Sequence, residues 1–323
     1  MSFVSSLRSI AQGPLVSGVL RPIYAGRGTI LMLHRIVPRE ESSTLELNQR
    51  IELAPEDLDA LIRWACSKNY TLVSLGQFCA NVRARRGRRM LCLTFDDGYA
   101  DNLTHALPVL ERHNAPATIF VTTDMPDLRA KLWCYAFEQV LREDPNRDQK
   151  FSTLHSSILG NSCLKNDELF RNFGFTDDLF LDLCARFSLT WDDIRKLAQH
   201  PLITIGAHTV SHPVLTNISD AQQDAEILGS KRRLEQEIQR EVTFFAYPFG
   251  IAGPREFETA RRAGFEAAVT TRMGNVVDGH RDHLWTLPRH EAANPNFSVS
   301  ALESRMSGYS FFRKGEFRPM VTH

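Results

Sequence analysis

The sequence has no net charge, because 38 Lys and Arg residues balance 38 Asp and Glu residues in a chain of 323. Bulk electrostatics therefore give no reason to expect a nucleic-acid partner. The chain also lacks any run of about 18 apolar residues, so we expect no transmembrane helix. Its length suffices for one large barrel domain or two smaller domains with a sizeable buried core.

Paired cysteine spacings are absent as well. Six Cys are scattered along the chain, and Cys66, Cys92 and Cys184 lie within apolar patterns. This distribution favours buried, reduced thiols over a disulfide framework, as is typical of cytosolic proteins.

Residues 1–28 lack the uninterrupted apolar core and the cleavage site of a secretory signal, so we expect a cytoplasmic protein. The segment is mildly amphipathic and carries Arg8, Arg21 and Arg27. It fits a surface-docked helix, and peripheral membrane attachment is the alternative.

One short stretch combines a buried strand with two acidic residues. The apolar run from Met90 to Phe95 predicts a strand buried on both faces, and it is followed by Asp96, Asp97 and Gly98. Successive side chains of a strand alternate between faces, so adjacent Asp side chains converge only where the strand gives way to a loop. Gly98 permits that turn, since glycine adopts positive φ readily. Taken alone, Asp-Asp-Gly is also typical of a turn that simply ends a strand.

Two histidines follow a second apolar run. Ile203 to Ala207 predicts another buried strand, and His208 and His212 come directly after it. Thr209 is a poor helix former and Pro213 ends a helix, so we place both imidazoles on a loop at the strand end. A lone His pair is more often structural. Two His and one carboxylate placed together at strand ends, however, would give the open three-ligand site of a hydrolytic zinc centre.

Strands alternate with helices along most of the chain, which favours a parallel β/α architecture. The first predicted strand, Thr29 to Leu33, ends at His34, which either lines a pocket or is a hydrogen-bonded structural residue. Between residues 124 and 190 the pattern becomes helical and irregular. We interpret this segment as a lid or substrate-binding insertion. Its aromatic residues, among them Trp133, either pack a small core or stack on sugar rings.

The motifs resemble those of the polysaccharide deacetylases, also called the NodB-homology or carbohydrate esterase 4 family. Residues 94–98 (TFDDG) resemble the first signature, residues 208–212 (HTVSH) the second and residues 245–250 (FAYPFG) the third, in the family's order. The similarity covers roughly residues 88–291.

The resemblance implies a distorted (β/α) barrel of about seven parallel strands, with the helical insertion at about 124–190 between the first two motifs. We therefore assign residues 29–323 to a single barrel domain that follows an N-terminal extension, residues 1–28.

The resemblance also implies roles for individual residues. Asp97, His208 and His212 would bind a divalent metal, zinc foremost, with Co²⁺, Ni²⁺ or Mn²⁺ as alternatives. Asp96 matches the family's catalytic base. For the third motif the family pattern implies that the backbone N–H of Phe249 would stabilise the oxyanion and that Tyr247 and Pro248 would shape the acetyl pocket.

Two departures from the family pattern concern the residues around the base. The arginine that many relatives carry before the third motif's proline is missing, and Arg289 is the candidate to orient Asp96 in its place. The family's Leu-x-His motif, which supplies the general acid, is also imperfect, since His290 follows Leu287 by one position too many. His290 is the first candidate for this role and His283 the second.

We therefore expect a metal-dependent hydrolase that removes the N-acetyl group from an N-acetylated sugar and releases acetate and a free amine. The expected partner is an N-acetylated glycan, oligosaccharide, or lipid- or nucleotide-linked precursor. Hydrolysis of a non-sugar amide, including a cyclic one, is the alternative reaction. A sugar-binding module without catalysis is the alternative from another class.

Overall fold

The computed structural model describes residues 25–160, 167–293 and 296–307. Most of the predicted N-terminal extension and the last 16 residues of the predicted domain, 308–323, lie outside these ranges. Peripheral membrane attachment through the extension therefore stays a prediction. Within the described ranges, no helix combines the length and hydropathy needed to cross a bilayer.

A closed ring of seven parallel strands forms the centre of the fold. The strands in chain order are β1 (Gly28–Leu33), β2 (Arg35–Ile36), β3 (Glu52–Leu53), β4 (Thr71–Leu72), β5 (Met90–Phe95), β6 (Ala117–Val121), β7 (Ile203–Ala207), β8 (Phe244–Ala246), β9 (Ala267–Met273) and β10 (Leu287–Glu291). β1 pairs with β5 on one side and β10 on the other, and β5 to β10 pair in sequence order. This closure confirms the predicted distorted (β/α) barrel. β4 adds to the edge of β5, and β2 and β3 form a separate pair.

Helices lie outside the barrel and fill the segment between β6 and β7. They are α1 (Glu46–Gln49), α2 (Pro55–Ser67), α3 (Leu75–Arg83), α4 (Leu107–Arg112), α5 (Trp133–Leu141), α6 (Arg147–Gly160), α7 (Asp167–Asn172), α8 (Asp177–Phe187), α9 (Trp191–Gln199), α10 (Asp220–Ile238), α11 (Pro254–Arg262) and α12 (Val299–Met306). Capping boxes begin α3 at Ser74, α9 at Thr190 and α10 at Ser219. These starts agree with the sequence signals.

Strand alternation divides the core into two layers. In β1 and β5, Ile30 and Cys92 point into the barrel, where they contact a cluster that includes Phe120. Their neighbours Leu31 and Leu91 point outward and pack against the helices. A residue near the end of a strand can therefore reach the barrel's interior only if it has the inward parity.

The helical segment that follows the first motif is divided in two near its internal Pro108. Asn102–Ala106 forms a π-helical turn, and α4 then begins at Leu107 with Pro108 in its first turn, where the missing N–H costs no helical hydrogen bond. The side-chain amide of Asn102 donates to the carbonyl oxygen of His34 at 2.7 Å. This contact fixes the chain where β1 ends.

The cysteines follow the prediction in part. Cys92 and Cys184 are buried free thiols, as expected, whereas Cys66 is exposed. The prediction for Cys66 was wrong because the buried stripe of α2 includes its neighbour Ala65, and the next helical residue lies about 100° further around the helix.

The predicted insertion is helical and has its own apolar core. Helices α5 to α8 pack around Phe137, Phe170 and Phe180 in a cluster separate from the two barrel layers. Trp133 and Tyr135 both belong to this cluster. The aromatic residues of the insertion therefore pack a small core, which is the first of their two predicted roles.

A buried carboxylate joins the insertion to the segment before α1. Glu138 on α5 accepts hydrogen bonds from the Thr44 backbone N–H at 2.6 Å, the Thr44 hydroxyl at 2.8 Å and the Asn48 amide at 2.9 Å, and another from the Ser43 hydroxyl. Burial alone would raise the pKa of Glu138, but these donors outweigh it and lower the pKa. The carboxylate therefore fixes one segment outside the barrel against another.

We predict that Glu138→Ala lowers the free energy of unfolding by about 1–3 kcal/mol, because it leaves several buried donors without their acceptor. Urea denaturation at neutral pH measures the change, and Glu143→Ala, at an exposed position near the end of the same helix, is the control. Since the pKa of Glu138 is lowered on folding, the difference should shrink as the pH falls below the ordinary glutamate range. Equal stabilities of the two variants at neutral pH would contradict this account.

Candidate active site

The turn after β5 places two adjacent carboxylates at the carboxyl-terminal rim of the barrel. Asp97 and Gly98 both have positive φ, +76° and +94°, and the Asp97 carbonyl oxygen accepts from Thr122 N–H at 3.1 Å. A Cβ at position 98 would lie 3.3 Å from a methyl of Val121. Glycine therefore permits both the backbone conformation and the close approach to β6.

The loop after β7 carries the two histidines with equally unusual backbone. Thr209 and His212 have φ of +68° and +57°, a region that costs a non-glycine residue roughly 1–3 kcal/mol. The Thr209 hydroxyl accepts from His212 N–H at 3.0 Å, and His208 N–H donates to Val121 O at 3.0 Å. The loop is thus non-helical, as Thr209 and Pro213 predicted.

Asp97, His208 and His212 converge into one cluster. Asp97 Oδ1 lies 3.4 Å from His208 Nε2 and 3.5 Å from His212 Nε2, and the candidate ligand atoms all lie within 4.8 Å of one another. These separations are long for hydrogen bonds. Ligands at about 2.1 Å from a tetrahedral zinc ion lie about 3.4 Å apart, so the cluster fits a zinc-type donor set.

The tautomer of His208 supports the same interpretation. Its Nδ1 lies 2.8 Å from the carbonyl oxygen of Ala246, which can only accept a hydrogen bond. Nδ1 therefore carries the proton, and the lone pair of Nε2 in the neutral ring faces Asp97. An imidazole fixed in this way by a backbone carbonyl is the usual arrangement of a metal-ligating histidine.

The surroundings shift the pKa values of the cluster's members in different ways. Burial would raise the pKa of Asp97, but the neighbouring imidazoles of His208, His212 and His34 hold it well below the usual aspartate range. Burial lowers the pKa of His212 to about 4. Burial would lower the pKa of His208 as well, but Asp97 and Asp96 outweigh it and raise that pKa. Asp97 is therefore ionised and His212 neutral at neutral pH, the protonation states that a metal ion requires of these two ligands.

Asp96, the other member of the pair, is held by Arg289. The guanidinium donates to both carboxylate oxygens at 2.8 and 2.7 Å, and also to Thr94 Oγ1 at 3.0 Å and Thr270 O at 2.9 Å. Both side chains of the ion pair are buried. Burial would raise the pKa of Asp96, but Arg289 outweighs it and lowers the pKa. Arg289 thus lies where it can orient Asp96, as the sequence suggested.

A cavity of about 390 Å³ opens over these groups, within the usual range for small-molecule sites. The barrel rim contributes His34, Asp96, Asp97, His208, His212 and Phe249. The insertion and the α1 region contribute an apolar wall that includes Leu47, Ile51, Met125, Leu132, Trp133 and Tyr135. Trp133 and Tyr135 therefore contact both the small core and the cavity, so neither of their two predicted roles excludes the other.

The structure brings most of the predicted residues to this cavity. Phe249 has φ of +57° and its ring packs edge-on against His212, with 4.7 Å between ring centroids. His34 lines the cavity from the end of β1, and its buried Nδ1 has no hydrogen-bond partner among the described residues. Of the two alternatives for His34, the pocket-lining one is therefore confirmed as its location.

Tyr247 and Pro248 do not line the cavity, which corrects the prediction that they shape an acetyl pocket. Tyr247 is fully buried in the outer layer next to Phe245, and its hydroxyl donates to Trp285 O at 3.1 Å. The physical reason is strand parity: Phe245 and Tyr247 point outward, whereas Ala246 between them points inward. Pro248 is buried in the turn that follows.

His290 also lies away from the cavity, which corrects its assignment as the proton donor. Arg289 takes the inward position in β10, so His290 points outward, and neither ring nitrogen has a hydrogen-bond partner among the described residues. Burial, aided by nearby Arg305, lowers the pKa of His290 to about 4. The second candidate, His283, precedes β10 at the opposite end of the strand and does not line the cavity either.

Among the cavity-lining residues that the sequence analysis did not identify, three carry groups that can form hydrogen bonds. Tyr99 follows the first motif directly, His155 comes from α6 of the insertion, and Glu291 ends β10. Glu291 could have been found, since it is a charged residue at the carboxyl end of a strand. Nothing in the sequence marks His155, because its position depends on how the insertion folds back over the barrel.

Fold and cluster together define the class of the protein, a parallel (β/α) barrel with a candidate metal centre at its carboxyl-terminal rim. The chain resembles solved structures of this type. It has a TM-score of 0.60 and 20% identity with the Streptococcus pyogenes deacetylase PplD in complex with acetate, covering 86% of this chain and 97% of that one. For IcaB from Ammonifex degensii the TM-score is 0.58 and the identity 17%, covering 87% and 97%. At these identities the likeness establishes the fold.

The family follows from the sequence match. The polysaccharide deacetylase family model matches residues 83–268, which is more than half of the chain. YxkH of Bacillus subtilis (strain 168), which is named as a polysaccharide deacetylase, is 21% identical to this chain over 226 residues. That alignment covers 69% of this chain, and the chain spans about 60% of the length of YxkH. The chain belongs to the polysaccharide deacetylase family, as its motifs indicated.

We predict that Arg289→Met destabilises the protein by about 3–5 kcal/mol at neutral pH, because it leaves the Asp96 carboxylate buried without its partner. In the wild type the pKa of Asp96 is lowered on folding, so the pair stabilises the protein above the ordinary aspartate pKa and less below it. The difference in free energy of unfolding between the variant and the wild type, measured by urea denaturation, should therefore decrease as the pH falls below about 4.

Arg281→Met, which removes a half-exposed arginine paired with Asp282, is the control and should change stability by less than about 0.5 kcal/mol. If Arg289→Met lowers the free energy of unfolding only slightly, or if the difference from the wild type grows on acidification, the pair does not stabilise ionised Asp96.

Proposed function

We propose that the protein is a metal-dependent deacetylase that hydrolyses the N-acetyl group of an N-acetylated sugar, releasing acetate and a free amine. The observation that carries the proposal is the convergence of Asp97, His208 and His212 directly beside a buried, ionised Asp96. Membership of the polysaccharide deacetylase family supports the reaction class. The whole group lines one cavity with room for a small ligand.

Asp97 Oδ1 and the Nε2 atoms of His208 and His212 would hold the metal, with zinc as the first candidate. When bound, a divalent ion supplies Lewis-acid polarisation of the amide carbonyl and a water of lowered pKa. The chain's own contribution to this step is the fixed orientation of the ligands. Ala246 O fixes His208 in the tautomer that presents Nε2 to the site.

Asp96 is proposed as the general base. A base must be ionised before it can take the proton of the attacking water, and Arg289 keeps the carboxylate ionised despite its burial. The two hydrogen bonds from Arg289 also fix the plane of the carboxylate. Asp96 and Asp97 thus take different roles because one faces a guanidinium and the other faces two imidazoles.

His34 replaces His290 as the proposed proton donor to the leaving amine. It lines the same cavity as Asp96 and Asp97, whereas His290 faces the helices. The imidazole lies within electrostatic range of Asp96, Asp97 and Glu291: a positive charge on it would act to lower the pKa of each carboxyl, although burial raises the pKa of Glu291 overall. A protonated imidazole at this position would therefore face compensating negative charge. Backbone N–H donation by Phe249 to the oxyanion stays a prediction.

The shape of the site favours a sugar carried by a larger molecule. A neighbouring groove of about 630 Å³ shares Ala130, Lys131 and Ser211 with the cavity. An oligosaccharide or a lipid- or nucleotide-linked precursor would use this additional space. Trp133 and Tyr99 supply aromatic surface beside the catalytic groups, which suits the apolar face of a sugar ring. A cytoplasmic location stays a prediction.

The test is acetate release from a panel of N-acetylhexosamine derivatives and from linear and cyclic non-sugar amides, each with and without a chelator. We expect chelator-sensitive release from the sugar panel. Release from the non-sugar amides alone would establish the alternative reaction. Sugar binding without any release would establish a binding module.

Two carboxylate variants should separate metal binding from proton transfer. We predict that Asp97→Ala loses the metal, because it removes one of three ligands, whereas Asp96→Asn keeps the metal and loses turnover, because an amide cannot act as a base. Metal content by elemental analysis and acetate release measure the two effects. Asp224→Asn, an exposed aspartate paired with Arg262 on the surface, is the control and should change neither. Full activity in Asp96→Asn would refute the assignment of the base.

The proton donor can be assigned by two histidine variants. We predict that His34→Gln lowers kcat/KM by about 10²–10⁴-fold while metal content is unchanged, because Gln fills the position but cannot donate an acidic proton. His290→Leu should keep wild-type turnover and stability, because both ring nitrogens are buried without partners and an apolar replacement removes that cost.

Steady-state kinetics and urea denaturation measure both variants. Loss of activity in His290→Leu together with full activity in His34→Gln would restore the assignment made from the sequence.

A further inference from the structure

The loop that carries the two candidate metal-binding histidines is held from outside by one carboxylate. Glu226, on α10, accepts from Val210 N–H at 2.9 Å and Ser211 N–H at 2.8 Å through Oε2, and from the Ser211 hydroxyl at 2.6 Å through Oε1. The three donors belong to the two residues midway between His208 and His212. One side chain therefore fixes the centre of the segment whose ends would bind the metal.

The loop needs such support because its backbone is strained. Thr209 and His212 both adopt positive φ without being glycine, and each costs roughly 1–3 kcal/mol unless the surroundings compensate. The two residues flank the pair that Glu226 holds. Releasing that pair would let the loop relax, and relaxation would change the separation of the two imidazoles.

A second contact of α10 with the same loop is independent of the carboxylate. Gly229, one turn after Glu226 on the same helical face, approaches Val210 so closely that an added Cβ would lie 3.2 Å from its Cγ2. A side chain at position 229 would therefore be closer to Val210 than ordinary van der Waals packing allows. The helix is thus fitted to the loop both by hydrogen bonds and by shape.

We propose that Glu226 is a positioning residue that sets the metal affinity of the site by holding residues 210 and 211. It does not line the cavity and does not belong to the candidate ligand cluster. Its effect would come from geometry, since it keeps His208 and His212 at the spacing that a metal ion requires. This proposal rests on the metal site of the proposed function and extends it to a residue that no motif marks.

The test titrates metal-free protein with Zn²⁺ against a chromophoric chelator, and follows Co²⁺ binding by the visible absorption that reports coordination geometry. Glu226→Ala should weaken Zn²⁺ binding by about 10–100-fold, the usual effect of removing a residue that supports a metal ligand. Glu226→Gln should stay within about threefold of the wild type, because its carbonyl oxygen still accepts both backbone N–H groups and the Ser211 hydroxyl can accept from its amide.

The matched control is Glu237→Ala on the same helix, which removes ion pairs with Arg195 and Arg233 and leaves the loop untouched. It should bind Zn²⁺ like the wild type. Gly229→Ala is a second perturbing variant, expected to fold well because alanine favours a helix, and to bind Zn²⁺ more weakly because the new methyl displaces Val210.

The outcomes separate this proposal from the proposed function. A folded Glu226→Ala with wild-type Zn²⁺ affinity overturns it, as does equal weakening in Glu226→Gln and Glu226→Ala, which would indicate charge instead of geometry. If Glu226→Ala does not fold, wild-type affinity in Gly229→Ala overturns it. A wild-type protein that binds neither Zn²⁺ nor Co²⁺ overturns the metal site itself, and this proposal with it.

Discussion

Closure of the barrel between β1 and β5 is the constraint on which the site depends. Six residue pairs in register, from Gly28 with Met90 to Leu33 with Phe95, join the first strand to the strand that carries the two aspartates. Because all seven strands are parallel, their carboxyl ends meet at one rim. Residues as distant in sequence as His34, Asp96, His208 and Arg289 therefore share one cavity wall or contact one another.

The two-residue period of the strands then decides which side chains reach the cavity. Arg289 and His290 are neighbours, yet the first contacts Asp96 inside the barrel and the second faces the helices. In the same way Tyr247 lies in the outer layer although it belongs to the third motif. A motif specifies residue types and spacing, but the parity of the strand and the bend at its end specify direction.

This explains how much the sequence could establish. The parallel β/α architecture and the rim positions of Asp96, Asp97, His208 and His212 were predictable, because a buried apolar run indicates a strand and polar residues at its end then lie at the rim. The closed seven-strand barrel and the candidacy of Arg289 came from the family resemblance. Which side chains of β8 and β10 point into the barrel was not predictable, since both strands are short and the chain bends immediately after each of them. The roles of Glu138 and Glu226 were invisible for another reason: each acts between segments that are far apart in sequence, on helices whose patterns show only an amphipathic face.

The adjacent carboxylates show why these surroundings matter for chemistry. Two aspartates side by side would ordinarily repel each other and share a proton. Here the charge of Asp96 is balanced by Arg289 on one side of the rim, whereas Asp97 faces the ring nitrogens of His208 and His212 on the other. These separate surroundings suit the two carboxylates to different roles, Asp96 to accepting a proton and Asp97 to binding a cation. Fold closure, strand parity and the support of the histidine loop all serve to keep these two environments apart.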